Sequence, residues 1–188
     1  MMRNWSQEFF KDAWNFATRF HKGQTFQGPQ QGEQIDYLNH VGSVAMEVIW
    51  ALPTDPKLDG NLAVQCALLH DVLEDTPATY ELVLERFGRQ VADGVLALTK
   101  DHRLPTKEEQ MADSLYRIRF QPKEVWMVKL ADRITNLYEP PCHWDNAKRN
   151  AYRQEAMQIH YALRDANVSL AGRLWEKIEQ YPRYLRQS

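Results

Sequence analysis

Apolar residues recur at three- and four-residue steps along almost the whole chain, and the strict alternation of half-buried strands is hard to find. The pattern predicts an all-α fold, a single compact bundle of about eight to ten helices. A first helix is expected over about residues 7–20, with Phe9, Phe10, Ala13, Trp14, Phe16 and Ala17 as its buried stripe. Two more are expected over about 39–52, ended by Pro53-Thr54-Asp55-Pro56, and over about 61–75, stopped before Pro77. Thr79 can cap another that runs to Phe87, with Gly88 as its stop. The remaining helices are expected over about 89–99, 106–119, 122–138, 145–165 and 167–180. The stretch from Gly23 to Asp36, with Gly28, Pro29 and Gly32 inside it, reads as a loop too polar to pack.

Size and charge narrow the class. The chain has 188 residues, 44% of them hydrophobic, with 23 basic against 25 acidic side chains. That is enough for one self-sufficient core, so residues 1–188 are expected to form a single unit. Two cysteines, Cys66 and Cys142, cannot build a disulfide framework or a Cys-rich zinc site, which fits a reduced, cytoplasmic setting. No apolar run approaches a membrane span, and the N-terminal stretch lacks the smooth apolar segment of a signal peptide, so no membrane partner is expected. Without a basic block, nucleic acid is not expected as a partner either. If the ligand is anionic, the positive charge that meets it has to be local.

The chemistry concentrates in two buried helices. Leu62 to Leu69 is almost wholly apolar, yet His70, Asp71, Glu74 and Asp75 follow at once. On one continuous helix these four would span about 140° of its surface and share a face. Three acids at a helix C-terminus oppose the macrodipole, so something positive is expected there. An adjacent His and Asp can ligate one metal, leaving the next two acids to orient or deprotonate a metal-bound water. The second helix, Val125 to Leu137, is apolar on nearly every side but carries Asp132 at its centre. A carboxylate so placed is costly to bury unless it meets a cation. Lys129 and Asn136 share its face.

His40, at the start of another apolar helix, completes a set of His40, His70, Asp71 and Asp132. Two nitrogens and two carboxylates suit a borderline divalent ion such as Mn²⁺, Fe²⁺ or Zn²⁺. Lys22, Lys100, Lys129 and Arg133 are candidates to meet phosphate, with Lys129 favoured because it shares the Asp132 face. His21, His102, His143 and His160 are expected to be non-ligands.

In this order and spacing the residues resemble the H…HD…D signature of the HD metal-dependent phosphohydrolase superfamily. Leu68-Leu69-His70-Asp71-Val72-Leu73-Glu74-Asp75-Thr76 is similar to the motif of RelA/SpoT hydrolase domains, and Lys129-Leu130-Ala131-Asp132-Arg133-Ile134-Thr135-Asn136 to the second motif of that family. Phe87-Gly88, Val91-Ala92, Leu98-Thr99-Lys100 and Phe20-His21-Lys22-Gly23-Gln24 extend the resemblance over about residues 10–140. The length matches the stand-alone small alarmone hydrolases. The resemblance implies one divalent ion, Mn²⁺, and removal of the 3′-pyrophosphate from (p)ppGpp to give GDP or GTP and pyrophosphate. It implies that His40, His70, Asp71 and Asp132 hold the ion, that Glu74 and Asp75 position and activate water, and that Asn136 and Tyr37 contact the nucleotide.

Four residues at three places depart from the family pattern. Phe26-Gln27 stand where it carries Arg or Arg-Lys, Val41 replaces a proline after the first histidine, and Tyr138 an arginine after Asn136. The departures gather on the base pocket rather than on the metal centre. They motivate a second expectation, the same chemistry on another nucleotide such as (p)ppApp or NADPH. A non-catalytic alarmone sensor is the alternative from another class, and Glu74 with Asp75 weighs against it, since binding alone needs no water-activating pair. Residues 145–188 read as a helical pair whose apolar stripes either finish the core or mediate a homodimer.

Overall fold

Most helices begin where a side chain supplies the hydrogen bond that the first turn lacks. In α1 (Gln7–Phe20), Ser6 Oγ accepts from the Glu8 N–H. A short antiparallel hairpin follows, β1 (Thr25–Gln27) with β2 (Gln34–Asp36), and leads directly into α2 (Tyr37–Ala51). Asp59 caps α3 (Gly60–Leu69), which is followed by a single turn, α4 (Val72–Asp75). Thr79 caps α5 (Tyr80–Phe87), and Gly88, at φ +83°, makes the sharp junction with α6 (Arg89–Leu98). Thr106 and Glu109 form a reciprocal capping box on α7 (Lys107–Ile118). The chain continues through α8 (Lys123–Asn136), α9 (Asn146–Leu163), capped by Asp145, and α10 (Val168–Gln180), capped by Asn167. The computed structural model describes residues 5–185; residues 1–4 and 186–188 of the expected 1–188 unit lie outside the described residues.

The core is built around α3 and α8. Every residue from Leu62 to Leu69 is buried, and α3 packs against α1, α2, α6 and α8. On α8, Val125, Met127, Val128, Leu130, Ala131 and Ile134 are fully buried. Gly94 lets α6 close on both, since a Cβ there would meet Val125 Cγ2 at 2.9 Å and Cys66 Sγ at 3.0 Å. In the last two helices Ala156, Ile159, Leu163, Leu170, Leu174 and Ile178 are fully buried, so their stripes serve the chain's own core. Arg173 on α10 grips the buried Glu47 of α2 with two bonds, 2.6 and 2.7 Å long, and ties the final helix to the one that carries His40.

Three expectations are corrected. Phe9 lies off the buried stripe of α1 and is 48% exposed. The stretch from Gly23 to Asp36 is not a plain loop: Thr25 pairs with Asp36, Phe26 with Ile35 and Gln27 with Gln34. The expected helix over 61–75 is broken at His70 and Asp71. The cause is local. His70 Nδ1 lies 2.8 Å from the Ala67 carbonyl, the acceptor that the Asp71 N–H would use in a continuing helix. Asp71 instead starts α4, its carbonyl accepting from the N–H groups of Glu74 and Asp75. Among the described residues no helix is long and apolar enough to cross a membrane.

Candidate active site

Because the chain turns at His70, the four residues do not share one straight helix face. His70 and Asp71 point one way, toward the first turn of α2 and the middle of α8. His40, His70 and Asp132 each offer a ligand atom, and these atoms lie within 4.8 Å of one another. Asp71 Oδ2 is 2.8 Å from His70 Nε2 and 3.6 Å from His40 Nε2, and Asp132 Oδ1 is 3.5 Å from His40 Nε2. The two imidazoles face each other with their Nε2 atoms 3.2 Å apart.

This donor set fits a divalent cation. A carbonyl only accepts, so the bond to Ala67 fixes the proton of neutral His70 on Nδ1 and leaves Nε2 as a bare lone pair. That lone pair is aimed at His40 and at the Asp71 carboxylate, an arrangement that only a shared cation or added protons can make favourable. The electrostatics of the site agree. Burial pulls the His40 imidazole down, but bonds to Asp132 and Asp71 outweigh it and push it up to about 9. His70 also rises, despite burial, because of the Asp71 charge. Burial works against ionised Asp71 and Asp132, yet His70 beside the first and Lys129 beside the second hold both below the usual carboxylate range.

The surrounding side chains are tied to this cluster. On α8, Lys129 Nζ lies 3.1 Å from Asp132 Oδ2, and the Asn136 amide donates to Asp132 Oδ1. Lys129 is 6% exposed, so its ammonium meets a carboxylate of the cluster rather than open solvent. Tyr37 donates its hydroxyl toward Asp71 Oδ2 and lies 3.0 Å from Asp75 Oδ2.

Glu74 and Asp75 differ sharply. One Glu74 oxygen accepts from the Lys100 backbone N–H at 3.0 Å and the other from Lys100 Nζ at 3.1 Å. Lys100 can reach it because Arg117 donates to the carbonyls of Leu96, Ala97 and Thr99, closing the end of α6 just before that residue. Asp75 opens onto the cleft, where partial desolvation of its carboxyl group and the Asp71 charge raise its pKa.

Tyr37, His40, Asp71, Glu74, Asp75, Lys100, Lys129, Asp132 and Asn136 line one cleft of about 1420 Å³, with His70 buried behind them. That exceeds the roughly 300 to 1,000 Å³ of ordinary ligand pockets. The wall formed by the hairpin presents Phe26, Pro29 and Ile35. To the same cleft, α9 and the turn before it contribute Trp144, Lys148, Tyr152 and Glu155. Lys148 Nζ lies 4.3 Å over the Trp144 ring, which meets Tyr152 edge-on at 5.1 Å. Arg133 sits over Tyr152 and pairs with Glu155 at 3.1 Å. Sequence reasoning missed this wall because Tyr152 reads as one step of an apolar stripe; the i, i+4 spacing of Trp144, Lys148 and Tyr152 was the available signal. Lys22 and His143 are not among the cleft residues, whereas Lys100 and His102 are.

A helical fold that brings two histidines and two aspartates together at the floor of a cleft defines a recognisable class. The sequence matches the HD domain family over residues 13–168, and the chain belongs to that family. Within it, the chain is 32% identical over 167 residues to guanosine-3′,5′-bis(diphosphate) 3′-pyrophosphohydrolase MESH1 of Xenopus tropicalis, covering 87% of this chain and 89% of that one. The human protein of the same name is 31% identical over 173 residues, covering 90% and 92%. The bifunctional (p)ppGpp synthase/hydrolase SpoT of Escherichia coli is 35% identical over 132 residues, 68% of this chain but 17% of SpoT. A solved structure of a metazoan SpoT orthologue, described as hydrolysing ppGpp and acting in starvation responses, superposes with a TM-score of 0.78 at 28% identity, covering 94% of this chain and 97% of that one.

Proposed function

We propose that this protein is a metal-dependent hydrolase that removes the 3′-pyrophosphate from (p)ppGpp, giving GDP or GTP and pyrophosphate. The observation that carries the proposal is the convergence of His40, His70, Asp71 and Asp132 at the floor of a nucleotide-sized cleft. Its relatives named as (p)ppGpp 3′-pyrophosphohydrolases supply the substrate class. We take residues 1–188 as one HD-type unit, with α9 closing one side of the cleft. Two cysteines in 188 residues, too few for a disulfide framework, support a reduced compartment such as the cytoplasm.

His40, His70, Asp71 and Asp132 would hold the ion; a set that mixes imidazole with carboxylate suits Mn²⁺, Fe²⁺ or Zn²⁺, and we assign Mn²⁺ on the resemblance to the RelA/SpoT hydrolase domains. Bound there, a divalent ion makes hydroxide available near neutral pH and offsets charge on the attacked phosphate. Asp75 is the proton acceptor: it faces the cleft beside Asp71, its orientation is set by Tyr37, and its raised pKa makes it a better base than an ordinary carboxylate. The water oxygen bonds to the phosphorus next to the ribose, the bond from that phosphorus to the 3′ oxygen breaks, and the 3′ oxygen leaves with the proton that Asp75 took from the water. Glu74 keeps Lys100 at the cleft wall, where its ammonium meets phosphate oxygens. Lys129 keeps Asp132 ionised, and Asn136, which lines the cleft and is exposed, is the nucleotide contact on α8.

Metal-replete protein is expected to release pyrophosphate and GDP from ppGpp in equal amounts. A chelator should stop the reaction and added Mn²⁺ restore it. Metal-replete protein that leaves ppGpp intact would end the assignment.

The hairpin favours a second reading, in which the base pocket tolerates purines other than guanine. Phe26 and Ile35 are direct cross-strand partners and both line the cleft. An apolar wall meets the face of a base rather than its edge, and stacking contributes roughly 1 to 3 kcal/mol per base with little sequence preference. Phe26→Ala is therefore expected to raise KM for ppGpp and for ppApp by similar factors, measured with Mn²⁺ on a panel that includes NADPH. Strict preference for guanine in the unaltered protein would sink this second reading.

A further inference from the structure

Tyr37 joins the metal cluster to the acid that faces substrate. Its hydroxyl lies between Asp71 and Asp75, so the angle of one phenol ring sets the separation and orientation of two carboxylates with different tasks. What sets the ring comes from the turn between α1 and the hairpin. The Tyr37 N–H donates to the Gln24 carbonyl at 2.9 Å. Phe26 meets the ring edge-on, 6.3 Å between centroids. The face is covered by His21, nearly parallel at 24° with centroids 4.9 Å apart.

His21 is an unusual choice for that face. It is 2% exposed, and its Nε2 has no hydrogen-bond partner. A buried unpaired ring nitrogen is a penalty that a phenyl group of similar size would avoid. What a phenyl group cannot do is bond to Gln24. His21 Nδ1 lies 2.7 Å from Gln24 Oε1, and Gln24 in turn donates its backbone N–H to the His21 carbonyl at 3.0 Å. The imidazole is thereby anchored at one edge by the residue that also holds the Tyr37 backbone, and it cannot rotate away from the phenol.

We infer that His21, anchored by Gln24, is a positioning residue that holds the Tyr37 hydroxyl between Asp71 and Asp75. It acts through Tyr37 and touches neither metal nor nucleotide. Hydrogen-bonding partners of ligating groups typically change metal affinity or activity by about 10- to 100-fold when removed.

The test is a double-mutant cycle on His21→Ala and Tyr37→Phe. Mn²⁺ affinity is measured calorimetrically on metal-stripped protein, and kcat and KM for ppGpp at saturating metal. Each single variant should weaken Mn²⁺ binding and lower kcat by about 10-fold, with KM within about 2-fold of the unaltered protein. The double variant should be no worse than Tyr37→Phe alone, because the support has nothing left to hold. Gln24→Leu keeps the imidazole buried but cuts its anchor; it should move the same two quantities by a smaller factor, and it decides the matter if His21→Ala fails to fold.

Losses that multiply in the double variant would overturn the inference. So would a rise in KM with kcat unchanged, or a lowered melting temperature with metal affinity and kcat intact. The inference rests on the metal-centre assignment above, and the two fail differently. If the unaltered protein binds Mn²⁺ but leaves ppGpp intact, the alarmone assignment falls while the affinity cycle still decides the role of His21.

Discussion

His70→Ala and Asp132→Asn are each expected to remove pyrophosphate release from ppGpp to below measurement, a loss of at least about 1,000-fold, with Mn²⁺ binding weakened by more than about 100-fold. His70 has two duties. Its Nε2 faces Asp71 at 2.8 Å, and its Nδ1 holds the Ala67 carbonyl, so alanine would delete a proposed ligand and also free the chain to extend α3 through the turn. For Asp132 the conservative amide is the better probe. Alanine would leave the Lys129 ammonium buried without its partner, and removing one member of a buried pair is strongly destabilising in its own right. Calorimetry with Mn²⁺ checks the ligand role independently of turnover. Either variant retaining metal affinity within a few-fold of the unaltered protein would remove that residue from the ligand set.

Asp75→Asn is expected to lower kcat by about 100- to 10,000-fold, the range that general-base residues supply, with Mn²⁺ affinity and KM nearly unchanged. The amide keeps the size of the side chain and can still accept from Tyr37, so positioning survives while proton transfer does not. Glu74→Gln is the contrasting case. Both Glu74 oxygens are already bonded to Lys100, so the variant should lose less in kcat and show more of its effect in KM, through a Lys100 ammonium no longer held at the cleft. Stopped-flow phosphate chemistry on the two variants side by side separates them. A Glu74→Gln defect in kcat as deep as that of Asp75→Asn would exchange the two roles.

Much of this arrangement was legible in the sequence because burial and polarity conflicted there. Carboxylates inside apolar helices, such as Asp132, and a run of acids after a buried stretch mark places where a cation is needed, and the structure brings His40, His70, Asp71 and Asp132 together. Helix positions follow from periodicity and capping residues such as Thr79, Thr106 and Asn167. The break at His70 was not legible, because it arises from one side chain taking a backbone acceptor in a stretch with no Gly or Pro. The hairpin was hidden by its three-residue strands, too short for alternation to register. The pairing of Glu74 with Lys100 and the stacking of His21 on Tyr37 join residues far apart in the chain or across a turn, where spacing carries no information.

The hairpin has one more consequence. Its pairing covers only three residues on each side, and the side chains of a strand alternate between faces. A slip of one residue would turn Phe26 and Ile35 away from the cleft and leave that wall to polar side chains such as Gln27, which already lines it. It would also drag on Tyr37, which follows β2 directly and is held through Gln24. Changes in loop length between Gly28 and Glu33 could therefore redirect substrate choice and the alignment of the two carboxylates in one step, without altering any ligand. For anyone re-engineering this scaffold, the length of the hairpin would be a handle on substrate choice and on rate at once.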